Sequence, residues 1–363
     1  MDRNLAPDNT KIRPVALTLA LAVLAILAAA DIAYLTHMLG HLLMMVILGV
    51  LAVISMTCDK TVFALNAFAL IVILFFASGQ SLTVALLGAV LTMGALALSV
   101  AIGKKCMKTS AVLTVCAVVS VGYILVIALI YAAEGNSLAS DALFEKLNAV
   151  FDSVKAMMAD VIREYVDSLS EEMLAYYAKY EVTKEILLET TLLTMEASLD
   201  IIQLLLPGIF LFLAQVMAYI AVSAFEKTAR LVRCEVLLPH VHWRLYPTQI
   251  TCVVYIVVTS AYLLAGLIAP SSSFLLLMMN FWIALMPVMI ACGFTGLFMR
   301  LKHPRFRKSM IFVLILFGAG CLFMASTAIP LGLFMLTFMG AQDVSLARAA
   351  ESAGRKGRDF NGK

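Results

Sequence analysis

The chain has 363 residues, 63% of them hydrophobic and only 13% charged, with a formal net charge of +3. A soluble domain carries about 25% charged residues, so this composition excludes an ordinary water-soluble globule and points to the bilayer as solvent. The small net charge gives no reason to expect a nucleic-acid partner.

Inside hydrocarbon every backbone N–H and C=O must be paired within the protein, which leaves helices or a closed barrel. Barrel strands alternate apolar and polar residues. Segments 15–30 and 84–100 are apolar all round, so the predicted class is an all-α polytopic transmembrane helical bundle of about nine spans.

The first five spans are predicted at 15–34, 39–57, 62–78, 81–102 and 110–133, an N-terminal membrane bundle over 1–133. Each reaches, or nearly reaches, the length needed to cross about 30 Å of hydrocarbon. Residues 1–30 have the outline of a signal peptide, with a basic start, an apolar core and Ala28-Ala29-Ala30 before Asp31. Further spans follow at once, so an uncleaved first span is expected. Ala16/Ala20 and Ala25/Ala29 form small-xxx-small faces suited to close helix contact. His37 and His41 have the i, i+4 spacing of a metal pair, but no Asp or Glu accompanies them, and no metal is expected.

Residues 134–200 interrupt the apolar pattern with an acidic, amphipathic segment. Ser137 or Ser140 is a candidate N-cap. Leu143, Leu147, Val150, Val154, Met157, Val161, Tyr165 and Leu169 then recur at helical spacing, with charged residues on the other faces. This predicts an amphipathic helix of about 30 residues. A second helix from Glu171 through Glu189 is expected to merge into the sixth span. Surface-lying helices are usually rich in Lys and Arg, so this acidic pair is expected to pack as a hairpin on itself, on the spans or on a partner.

A C-terminal bundle of about four spans is predicted over 201–340, at 201–224, 249–269, 274–299 and 310–339. The last block is too long for one upright helix and contains Gly318, Gly320, Pro330 and Gly332. It is either one long kinked span, or a broken helix or tight hairpin; one kinked span is the expectation. The polar tail 341–363 is expected to be disordered.

Orientation follows from Lys and Arg in short loops. Arg3, Lys11 and Arg13 precede the first span, Lys104, Lys105 and Lys108 follow the fourth, Lys227, Arg230, Arg233 and Arg244 follow the sixth, and Arg300 through Lys308 follow the eighth. All four clusters share a side if the N-terminus is cytoplasmic, which puts 134–200 outside. The seven cysteines all lie elsewhere, so the outer segment has no disulfide framework.

G-x-S-x-G, H-E-x-x-H and G-x-x-x-x-G-K-[ST] are all absent, so no enzyme and no cofactor are expected. Polar groups at membrane depth are costly and usually mark function. Asp31, Asn66 and Asn280 are the candidate ligand-binding residues, with Gln203 and Gln215 also polar within spans. Pro207-Gly208, Pro287, Gly293 and Gly296 weaken their helices, and broken helices free backbone groups that can hold a substrate.

The layout of five spans, an amphipathic segment and further spans resembles the YybS-like family of polytopic bacterial membrane proteins, a domain of unknown function. The local resemblance is best from Leu238 to Pro247, where Pro239, Trp243, Arg244 and Pro247 form an interfacial motif. Asn280, Thr295-Gly296-Leu297 and Gly340-Ala341-Gln342-Asp343 also match. The chain departs from the family at His240 and His242 and in lacking an aromatic-rich end. The resemblance implies a bacterial cytoplasmic membrane protein distantly similar to the substrate-binding subunits of energy-coupling-factor transporters. It also implies that Ala16, Ala20, Ala25 and Ala29 contact a helix of a partner. The leading expectation is a solute-binding, transport-related subunit in the lipid bilayer, working with a separate energising or envelope protein partner. The rival is a non-transporting scaffold or assembly factor that binds another protein through its outer helices.

Overall fold

The computed structural model describes residues 12–34, 38–133, 135, 140–232, 234, 245, 249–269, 272–302, 304–323 and 325–342. Among them are twelve helices and no strand: α1 (Ile12–Tyr34), α2 (Met38–Thr57), α3 (Lys60–Ala77), α4 (Leu82–Gly103), α5 (Lys108–Ala133), α6 (Ser140–Asp167), α7 (Glu171–Ala178), α8 (Lys184–Leu231), α9 (Gln249–Ile268), α10 (Ser273–Lys302), α11 (Pro304–Phe323) and α12 (Ala325–Gln342). Eight of these, α1–α5 and α8–α10, are long and apolar enough to cross a membrane. Two compact units emerge, one from Met1–Val126 with Phe210–Lys363 and one from Ile127–Ile209; the divisions fall within α5 and α8.

In the larger unit α2 is the most enclosed helix. It packs on α1, α3 and α4, and Ile47, Leu48, Leu51, Ala52 and Val53 are fully buried. Its fourth side meets α8 at Gly49, where an added Cβ would lie 2.6 Å from both the Ala221 carbonyl oxygen and the Phe225 nitrogen. Only a glycine lets two backbones come so near. The α3–α4 reversal places Gly79 at φ +72 and Gln80 at φ 67, closed by a 2.8 Å bond from the Gln80 N–H to the Phe75 carbonyl.

In the same unit α10 packs on α9, α11 and α12. Gly293 of α10 meets the Leu336 backbone of α12. The expected single kinked span over 310–339 is not what forms. The stretch is split between α11 and α12, which pack on each other, with Gly332 against the Phe317 ring. Flat glycine surface facing an aromatic ring on the neighbouring helix stabilises the fold-back, where a kink alone would have left both helices in line.

The smaller unit contains α6, α7 and the first part of α8. The predicted helix of about 30 residues is α6. The predicted continuous second helix is instead broken: α7 stops at Ala178, Glu181 takes φ 61, and Thr183 opens α8 by accepting the Ile186 N–H at 3.3 Å. Thr183 is the N-cap signal that stops a single helix from running through. Side-chain bonds then join α6 to α8. Asn148 accepts from Gln203 (2.6 Å), Lys155 donates to Asp200 (2.6 Å), and Lys184 pairs with Asp167 (3.0 Å). Partner numbers fall on α8 as they rise on α6, which defines an antiparallel hairpin. Residues 343–363, including the predicted tail beyond α12, lie outside the described residues.

Candidate functional site

The three predicted ligand residues sit in separate surroundings. Asp31, 4% exposed near the end of α1, accepts the Gly40 N–H of α2 at 2.7 Å. A carboxylate there satisfies an orphan donor of the α2 N-terminus and meets the positive end of its dipole. Asp31→Ala is expected to cost about 1–3 kcal/mol, read by thermal denaturation in detergent. Asn66, 5% exposed in α3, donates to the Val62 carbonyl at 2.9 Å, and its Oδ1 is buried with no partner among the described residues. Asn280 donates to the Leu276 carbonyl at 3.0 Å on α10, which belongs to the α9–α12 group. Asp31 and Asn66 lie on helices that pack together, α1 and α3; Asn280 does not join them.

The alanine faces of α1 divide. Ala25 and Ala29 are fully buried, while Ala16 and Ala20 are exposed. Pro239, Trp243, Arg244 and Pro247 lie outside the described residues, as do His37, His240 and His242. His41 stands 6.4 Å from the Tyr123 ring.

Two polar arrangements in the larger unit escaped sequence reasoning. Lys108, at the start of α5, donates to Glu226 of α8 at 2.6 Å, with its ammonium 5.6 Å from the Tyr219 ring; Arg230 holds the other Glu226 oxygen at 2.9 Å. Glu226 is the only acid between Asp200 and Glu235, and that isolation among basic neighbours was its sequence signal. On α10, Pro287 cannot donate a backbone hydrogen bond and loosens the turn before it. Gln215 of α8 donates to the Ala284 carbonyl in that turn. A recess of about 330 Å³ in this unit is lined by Leu17, Thr57, Cys58, Asp59, Val62 and Cys234, among others.

The smaller unit carries the largest charge imbalance. Between Glu134 and Asp200 there are fourteen acidic and five basic residues, against nine and twenty-one in the rest of the chain. α8 bonds α6 through Asn148, Lys155 and Asp167, and Val166 of α6 is buried. By helix geometry the predicted apolar stripe lies largely on the far side from Asn148 and Lys155. Val150, Met157, Val161 and Tyr165 are all 54–60% exposed. A groove of about 510 Å³ runs along α7 and α8, lined by Tyr177, Ile186, Leu187, Thr191 and Met195 among others. Three of its hydroxyls bond their own helix, Thr191 to the Leu187 carbonyl, Thr194 to the Thr190 carbonyl and Ser198 to the Thr194 carbonyl, each at 2.7 Å, so the surface presented is mostly apolar.

The Asp200 hydrogen bond, reinforced by the charges of Asp200, Asp152 and Glu196, raises the Lys155 pKa above its ordinary value of 10.5. A raised cation stabilises the fold fully below its unfolded value, and that contribution disappears as pH climbs through the folded one. Protease resistance of the hairpin should therefore be flat up to about pH 10 and weaken above it. Lys155→Met should reduce that alkaline step, leaving the part due to Lys184 and Asp167.

Eight membrane-length apolar helices in an all-helical chain define a multi-pass integral membrane protein. No family model matches the chain, and no match emerges among curated proteins or solved structures.

Proposed function

We propose that this integral membrane protein is a non-catalytic docking platform, its spans anchoring a water-facing helical hairpin that binds another protein. The observation carrying this reading is the line of large apolar side chains left exposed on α6, at Val150, Met157, Val161 and Tyr165. The separate placement of Asp31, Asn66 and Asn280 favours it over a solute site built from those three. Basic residues in the short loops support an extracytoplasmic side for the hairpin, and the YybS-like resemblance supports a bacterial cytoplasmic membrane. A photo-crosslinking residue at Met157 is expected to give a discrete protein adduct in intact cells. The same residue at Asp152, on another face of α6, should give none. Equal adducts from both positions, or none from either, would sink the reading.

A second reading, a solute-handling subunit with a separate energising partner as in the YybS-like resemblance, has its own support. The buried atoms Asn66 Oδ1, Gln215 Oε1, Thr259 Oγ1 and Trp282 Nε1 lack partners among the described residues, and such groups at membrane depth often mark ligand paths. Val62, which accepts from Asn66, also lines the 330 Å³ recess. A thermal-shift screen of the purified chain against water-soluble vitamins and related metabolites separates the two. A stabilising hit lost in Asn66→Leu supports solute handling, and no hit counts against it.

A further inference from the structure

Resting on the docking reading, we infer that the exposed face of α6 receives a basic amphipathic helix of a second protein. Val150, Met157, Val161 and Tyr165 are separated by seven, four and four residues, which sets them in one line along a helix. The line is about 22 Å long and matches four turns of a partner helix. The α8-bonded positions Asn148 and Lys155 lie on the opposite side of α6, and the four residues of the line stay exposed.

Charge selects the occupant. Every base on α6 is engaged: Lys146 lies 4.5 Å over the Tyr131 ring, Lys155 pairs with Asp200, and Arg163 pairs with Asp160 at 2.8 Å. Glu145 and Glu164 have no ion-pair partner among the described residues. By helix geometry Glu164 borders the apolar line directly. An anionic lipid surface would meet this acidic border with like charge. A second copy of the chain would set the same carboxylates against themselves. A helix with one apolar stripe flanked by Lys and Arg buries the stripe and neutralises the border together.

The test uses the full chain in nanodiscs and three labelled peptides of about 18 residues, or five turns. One has leucines on a single face and lysines elsewhere, the second has glutamate for lysine, and the third has the lysine composition with its leucines scattered round the helix. The first alone is expected to bind, more weakly as salt rises from about 50 to about 500 mM. Met157→Asn with Val161→Asn, and separately Glu164→Lys, should each weaken it about tenfold. Both changes fall on exposed positions. Equal binding of the scattered or acidic peptide overturns the inference. So does dimerisation of the chain, or oxygen accessibility of a spin label at Met157→Cys matching that of a lipid-facing site, if Val161→Asn removes it. A face-specific crosslink from Met157 without peptide binding rejects the basic helix and leaves docking standing; loss of both rejects docking as well.

Discussion

Glu226→Leu, made with Lys108 left in place, is expected to lower stability by about 3–5 kcal/mol, because it removes the carboxylate from a buried ammonium. The Lys108 and Glu226 side chains are 9% and 17% exposed, so little water remains to compensate. Lys108→Met should cost less, since Glu226 keeps Arg230 at 2.9 Å. The double replacement Lys108→Met/Glu226→Leu should recover most of the loss, as buried pairs exchanged for apolar neighbours are often neutral or stabilising. Denaturation of the three variants in mixed detergent gives the coupling directly. Equal losses from the two single changes, adding in the double, would show that the pair does not hold α5 to α8.

Gly49→Val should be nearly as damaging, at about 3 kcal/mol, and Gly49→Ala somewhat less so. The obstacle at Gly49 is backbone, the Ala221 oxygen and the Phe225 nitrogen at 2.6 Å, which cannot turn away as a side-chain tip can. Gly318→Ala is the matched control. Nothing lies within 4 Å of a Cβ there, and alanine favours a helix interior by about 1 kcal/mol over glycine. Melting temperatures that drop equally for Gly49→Ala and Gly318→Ala would contradict the close α2–α8 approach.

The spans were legible because apolar length and cationic ends are local properties. α1 through α5, α9 and α10 start and stop within a few residues of their predicted bounds. α6 was legible from its periodicity. The α7–α8 break was less so: Glu181 adopts φ 61 without being glycine, and Thr183 gave the only nearby cap. The α11–α12 fold-back depends on Phe317 meeting Gly332, a tertiary contact that Pro330 and the glycines do not specify alone. Lys108 and Glu226 are 118 positions apart, beyond any local pattern. Asp31 was visible as an intramembrane acid, but its role in satisfying the α2 N-terminus needed the chain reversal that brings Gly40 to it. The α6 stripe was visible as an apolar face; that α8 would bond the opposite side and leave this one exposed was not.

We propose that α1–α5 and α8–α10 cross lipid while the 140–200 hairpin stands in water on the extracytoplasmic side. In a chain whose own cysteines are replaced, Met157→Cys and Lys302→Cys would be challenged with a membrane-impermeant maleimide in intact cells. Rapid labelling is expected at 157, and labelling at 302 only after lysis. Labelling at 302 in intact cells with 157 protected until lysis would contradict it.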